Sequence, residues 1–182
     1  PAWDASGKYL YFLASTNYAL SSGWLDMGSI ERPIRRAVYM IVLKKDLPSP
    51  LLPESDEEKP EAEKPKDEVK AADKKDKKKE AEPAQANRVV IDAEGISQRI
   101  ISLSMPERDY SALRTGEEGV VFISERVPNQ EGETIHKFTL KERKADVFTS
   151  GAGYFRISSD GKKILHATPG KWFIASTVTQ PA

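Results

Sequence analysis

Two distant stretches of this chain repeat the same turn and the strand that follows it. Trp3-Asp-Ala-Ser-Gly-Lys-Tyr-Leu-Tyr-Phe12 aligns with Ile157-Ser-Ser-Asp-Gly-Lys-Lys-Ile-Leu-His166. In each, Ser, Asp and Gly supply a tight turn and an apolar run of strand length follows. Tyr110-Ser-Ala-Leu-Arg-Thr-Gly-Glu-Glu-Gly-Val-Val-Phe122 is a degenerate third copy. Gly119 and Gly161 lie 42 residues apart, the length of one four-stranded propeller blade. Gly7 precedes Gly119 by 112 residues, but about 52 remain once a charged insert and most of a long loop are set aside.

Between the repeats the periodicity stays at two. Strands are expected at Lys8 to Ala14, Ala37 to Leu43, Arg88 to Asp92 and Arg99 to Leu103, the last two separated by a turn at Gly95. Further strands are expected at Tyr110 to Leu113, Gly119 to Ser124, Thr134 to Leu140, Asp146 to Thr149, Tyr154 to Ile157, Lys162 to His166 and Trp172 to Ala175. No sustained helical stripe competes with them. The fold class is therefore all-β, a partial β-propeller of about three four-stranded blades of WD40-like repeats with a disordered charged insert. Residues 1-50 form a blade with a long loop at 15-36, residues 51-87 the insert, and residues 88-182 the rest of that blade and the following ones. Inner strands of such a blade are apolar on both faces, as Tyr9 to Leu13 and Val120 to Ile123 are.

The insert explains the charge balance. The chain of 182 residues carries 28 basic and 28 acidic side chains, but 12 acids and 9 bases fall within residues 51-87, leaving a mildly basic body. That segment has no aromatic and one β-branched residue, Val69, so it cannot bury enough apolar surface to offset an ordering cost of about 1–2 kcal/mol per residue. Its part from Val69 to Glu82 has transient helical character, and the interspersed acids dilute the field of Lys74, Lys75, Lys77, Lys78 and Lys79.

Composition also excludes chemistry. Without cysteine there is no thiol catalysis, disulfide framework or thiolate metal site, and with two histidines a multi-histidine centre is not expected. No nucleophile elbow, zinc-protease helix or phosphate loop occurs, and Gly151-Ala-Gly153 precedes a strand where a dinucleotide fingerprint would precede a helix. His136 and His166 fall on different blades and read as strand residues, and Asp4 and Asp160 as turn carboxylates bonding local N–H groups. The aromatics Tyr9, Tyr11, Phe12, Phe122, Phe155, Trp172 and Phe173 are expected to pack the core and not to stack on nucleic acid. No catalytic residue, metal ligand or cofactor site is therefore assigned, and no nucleic-acid partner or membrane span is expected.

The strand motif Asp-x-x-Gly-Lys-aromatic-Leu-Tyr-Phe resembles the propeller repeats of tricorn proteases, TolB-like proteins and the prolyl-oligopeptidase group. A narrower likeness lies in the order Gly7-Lys-Tyr-Leu-Tyr-Phe-Leu, Val38-Tyr-Met-Ile-Val-Leu, Ser49-Pro-Leu-Leu-Pro-Glu-Ser-Asp-Glu-Glu58, the charged insert, and Val90-Ile-Asp-Ala-Glu-Gly-Ile96. In that order the chain is similar to bacterial tricorn-like serine proteases over nearly all of its length outside the insert. The resemblance implies the C-terminal part of a second, larger propeller, ahead of the helical, PDZ and serine-protease domains that carry catalysis. It further implies a scaffold and substrate-access or product channel for peptides, partners in other domains of the same chain, a homo-oligomer, and a cytoplasmic protein, with a periplasmic one as the second reading. A TolB-like binding module without activity, or the propeller of a prolyl-oligopeptidase-type hydrolase, are the alternatives.

The loop from Ser15 to Arg36 is the one candidate functional element. Its length and its bulky Tyr18, Leu20, Trp24, Leu25, Met27 and Ile30 call for a surface to cover or a peptide to touch. Trp24, Arg32, Arg35 and Arg36 are the substrate-channel candidates, the arginines serving either as a salt-bridged loop base or as holders of a carboxylate. The chain opens on proline with no initiator methionine, which reads as a piece of a longer chain that folds poorly alone.

Overall fold

The computed structural model describes residues 1–16, 34–52 and 89–180. The charged insert past Leu52 and the loop that holds Trp24 and Arg32 lie outside the described residues. What is described is all-β and antiparallel. The first sheet contains β1 (Ala2–Trp3), β2 (Tyr9–Ala14), β3 (Ala37–Val42) and β4 (Ile100–Ser102). The second contains β5 (Tyr110–Thr115), β6 (Val120–Arg126), β7 (Glu133–Thr139) and β8 (Lys144–Ala152). The third contains β9 (Tyr154–Ile157), β10 (Lys163–Thr168) and β11 (Lys171–Ser176). Each is a meander in chain order, and none closes on itself.

The sheets stack face to face. Alternation along β6 sends Val121 and Ile123 toward the first sheet, where they meet Tyr11, Val38, Met40 and Leu103. Phe122, one step out of phase, points the other way and packs with Ile135, Phe148, Phe155 and Ile164 against the third sheet. Phe122 and Phe148 meet edge to face at 5.2 Å. The second sheet is thus covered on both faces, and its β6 is buried almost throughout. Each large side chain fully buried this way contributes about 1.5–3 kcal/mol.

Two faces remain uncovered among the described residues. On the outer side of the first sheet, Trp3, Leu10, Ile41 and Ile100 form one register row with no charge in it. On the outer side of the third, Trp172 is 66% and Ile174 72% exposed, beside Tyr154 and Leu165. The expectation that Trp172 and Phe173 pack the core is not met: Trp172 is on the outer face, which no other sheet covers among the described residues, and Phe173, on the inner face but on the edge strand β11, stays 41% exposed. Tyr11, Phe122 and Phe155 do pack it.

One expected strand is absent. Residues 89–92 run without strand structure, and Val89, Val90 and Ile91 are exposed. The Arg99 guanidinium bonds to the carbonyls of Val42 in β3 at 3.0 Å, of Glu94 at 2.9 Å and of Asp92, tying the end of this segment to the first sheet. Asp92 in turn is pinned by its own N–H to Leu43 and by its carboxylate to the Lys45 N–H, both at 2.9 Å. The short β1, which the periodicity does not predict, supplies the first sheet with its fourth strand.

The repeated turns stack as well. The first closes with Gly7 N–H on the Asp4 carbonyl and the third with Gly161 N–H on the Ser158 carbonyl, both at 2.9 Å. Asp and Ser exchange places between them: Asp4 accepts the Ser6 N–H at 2.9 Å, and Asp160 accepts the Lys162 N–H at 3.1 Å and the Ser158 hydroxyl at 2.5 Å. The Asp4 carboxylate also reaches out of its turn, accepting the N–H of Gly119 at 2.8 Å and the Tyr11 hydroxyl at 3.4 Å. Gly161 lies so close to the middle turn that a Cβ there would sit 2.6 Å from the carbonyl carbon of Gly116. Each turn touches the next, sheet by sheet.

Candidate functional site

The base of the long loop lies where the first sheet meets the second. Arg36 begins the run into β3, and its backbone pairs with Arg108, donating to its carbonyl at 2.8 Å and accepting its N–H at 3.2 Å. The Arg36 guanidinium bonds to Asp109 at 3.2 Å and to the Tyr110 carbonyl at 2.8 Å. Of the two roles the sequence leaves open for it, Arg36 takes that of a salt-bridged base, fastening β3 to the approach to β5.

Next to it stands a buried acid. Glu125 continues the alternation of Val121 and Ile123 toward the first sheet and is 6% exposed. A carboxylate removed from water needs partners. The register sets His136 opposite Ile123, diagonal to Glu125 on the same face, and His136 Nε2 lies 2.6 Å from the carboxylate. Arg108 closes the other side, with Nη1 at 3.1 Å from both carboxylate oxygens. Tyr110 presents its ring edge-on to His136 at 6.4 Å and donates its hydroxyl to the Pro106 carbonyl at 2.9 Å. Burial, reinforced by the Glu125 charge and opposed by Arg108, pushes the Tyr110 phenol up to about 12.

Arg108 and Glu125 border a cavity of about 370 Å³. Arg35, Arg108 and Arg126 face Glu107, Asp109 and Glu125 around it, with Ile34 and Pro128 as its apolar wall. Glu125 is thus engaged by both His136 and Arg108. The arrangement holds charge of both signs. Among the described residues no group of three or more His, Asp or Glu side chains is placed to hold a metal ion.

Of the four candidate residues, Arg35 lines this cavity and Arg36 braces it from behind; Trp24 and Arg32 lie outside the described residues. His166 is on the third sheet, away from the site. It is buried, stacked on Phe173 at 5.1 Å, with both ring nitrogens unbonded among the described residues, and burial pushes its pKa down. Sequence reasoning passes over Arg108, Glu125 and Arg126. The signal for Glu125 is an acid at the end of an apolar alternation, on the face that the alternation buries.

No family model matches the chain. In sequence it is 25% identical, over 190 aligned positions, to Tricorn protease homolog 1 of Streptomyces coelicolor, an alignment that takes in 94% of this chain and 16% of that protein. In structure it matches the crystal structure of the tricorn protease with a TM-score of 0.58 and 18% identity, over 98% of this chain and 16% of that one. The chain is therefore similar to one segment of tricorn-type proteins, and it spans 16% of the length of either relative.

Proposed function

We propose that this chain is a non-catalytic β-propeller segment of a tricorn-type serine peptidase, contributing successive blades to a scaffold and to a channel through which peptides pass. The observation that carries the reading is the stacking of three consecutive meanders whose repeated turns contact one another, Asp4 against Gly119 and Gly116 against Gly161. Radial repetition of such sheets makes a propeller. The uncovered rows around Trp3 and Trp172 support it, because a blade within a ring is covered on both faces. Similarity to tricorn-type proteins over nearly all of the chain supplies the peptidase.

The mechanism assigned to the segment is steric and electrostatic. A channel admits unfolded peptide and excludes folded protein, while catalysis belongs to other domains of the same polypeptide, assembled as a homo-oligomer in the cytoplasm. Among the described residues no helix is long and apolar enough to cross a membrane. The loop over residues 15-36 is assigned the handling of peptide, with Trp24, Arg32, Arg35 and Arg36 as its substrate-channel candidates. The test is cleavage of short peptides and of a folded protein by the full-length enzyme, with and without residues 17-33. Faster attack on folded protein after deletion is expected; unchanged rates and size selectivity overturn the gating role.

A further inference from the structure

We infer that the cavity between the first and second sheets is a carboxylate subsite, in which an acidic group of a peptide is held between Arg108 and Arg126. Arg108 meets Glu125 through Nη1 alone, and its Nε and Nη2 make no hydrogen bond among the described residues. Arg126 reaches Glu133 through Nε alone, at 3.3 Å, and its two terminal nitrogens are likewise unbonded among the described residues. Both arginines line the cavity. An unused pair of N–H donors on a planar fork matches the two oxygens of a carboxylate.

The buried pair behind them fixes this geometry. Glu125, held by His136 at 2.6 Å, fixes the Arg108 guanidinium through Nη1 and leaves its Nε and Nη2 unbonded among the described residues. Three arginines balance Glu107, Asp109 and Glu125, so the lining carries no net charge and a carboxylate is recognised by the unbonded N–H pairs and not by a net positive field. Ile34 and Pro128 give the apolar wall on which the methylenes of a glutamate side chain, or the last side chain of a peptide, can rest. The inference rests on the peptide-channel reading only for the source of the ligand.

The test is fluorescence anisotropy with the full-length protein and three labelled hexapeptides of one apolar sequence. One is amidated and carries an internal Glu, one is amidated with Gln in its place, and one has the Gln sequence with a free C-terminal carboxylate. At least one carboxylate peptide is expected to bind about tenfold or more tighter than the Gln amide, and the arm that does so identifies the source of the group. Arg126→Gln, at a side chain 64% exposed, is expected to erase that preference without disturbing the fold. Arg108→Lys, which keeps the charge on Glu125 but removes the fork, is expected to reduce it. Equal affinities in all three arms, or a preference untouched by both variants, overturn the subsite. Peptide cleavage is a separate readout: cleavage without preference leaves the peptidase reading standing, and preference without cleavage leaves the subsite standing.

Discussion

The Asp4 carboxylate accepts the backbone N–H of Gly119 at 2.8 Å, across 115 residues of sequence and from one sheet to the next. Asp4 is 3% exposed, and the same carboxylate holds its own turn through Ser6. One side chain therefore closes a local turn and joins two sheets.

Replacing Asp4 with Ala leaves the Gly119 N–H buried and without an acceptor, a loss of about 1–3 kcal/mol. Amide exchange at Gly119 is expected to accelerate about 10- to 100-fold, with a smaller effect for Asp4→Asn, which keeps an oxygen acceptor. Hydrogen exchange read by mass spectrometry decides it. Unchanged protection in Asp4→Ala shows that the contact does not hold the sheets together.

Gly161 and Gly170 separate two costs of a side chain. Both have positive φ, 73° and 77°, but a Cβ at Gly161 meets Gly116 and Glu117 at 2.6 Å while one at Gly170 meets nothing within 4 Å. Gly170→Ala is expected to cost about 1–2 kcal/mol from backbone conformation alone. Gly161→Ala is expected to lower the unfolding midpoint further, because it also drives two stacked turns apart. Equal midpoints contradict the turn contact.

His166 gives the fold a pH dependence of known sign. Burial lowers its pKa in the folded state below the unfolded value of about 6.5, so in that window the unfolded chain binds more protons than the folded one. Stability is lost as pH falls through about 6.5 and continues to fall until the folded-state pKa is reached. His166→Leu is expected to flatten stability measured by denaturant titration between pH 7 and 5. A slope identical to that of the unsubstituted protein removes His166 as the cause.

How much of this is legible in the sequence depends on whether a feature is local. β2, β3 and β9 follow from apolar runs bounded by turn residues, and the structure places them at Tyr9–Ala14, Ala37–Val42 and Tyr154–Ile157. The run Val89-Val-Ile91 has the same composition yet forms no strand and stays exposed, because no neighbouring strand pairs with it among the described residues, and pairing is a matter of tertiary structure. Two-residue β1 is too short to show a period. At the site, Arg36 is legible as a loop base because Arg and Pro cluster there. The bond between Glu125 and His136 depends on the register of β6 on β7, which composition does not encode. Asp4 reads correctly as a turn carboxylate, but its second acceptor role, toward Gly119, appears only when the sheets are stacked.

If these sheets are, as proposed, consecutive blades of a ring, the faces open here are covered by neighbouring blades in the full-length protein. Hydroxyl-radical footprinting of Trp172 and Trp3, which are 66% and 49% exposed in this segment, tests it directly. Both indoles are expected to be protected in the native full-length protein and to become reactive on unfolding. Native reactivity equal to that of the unfolded chain at both positions would contradict it.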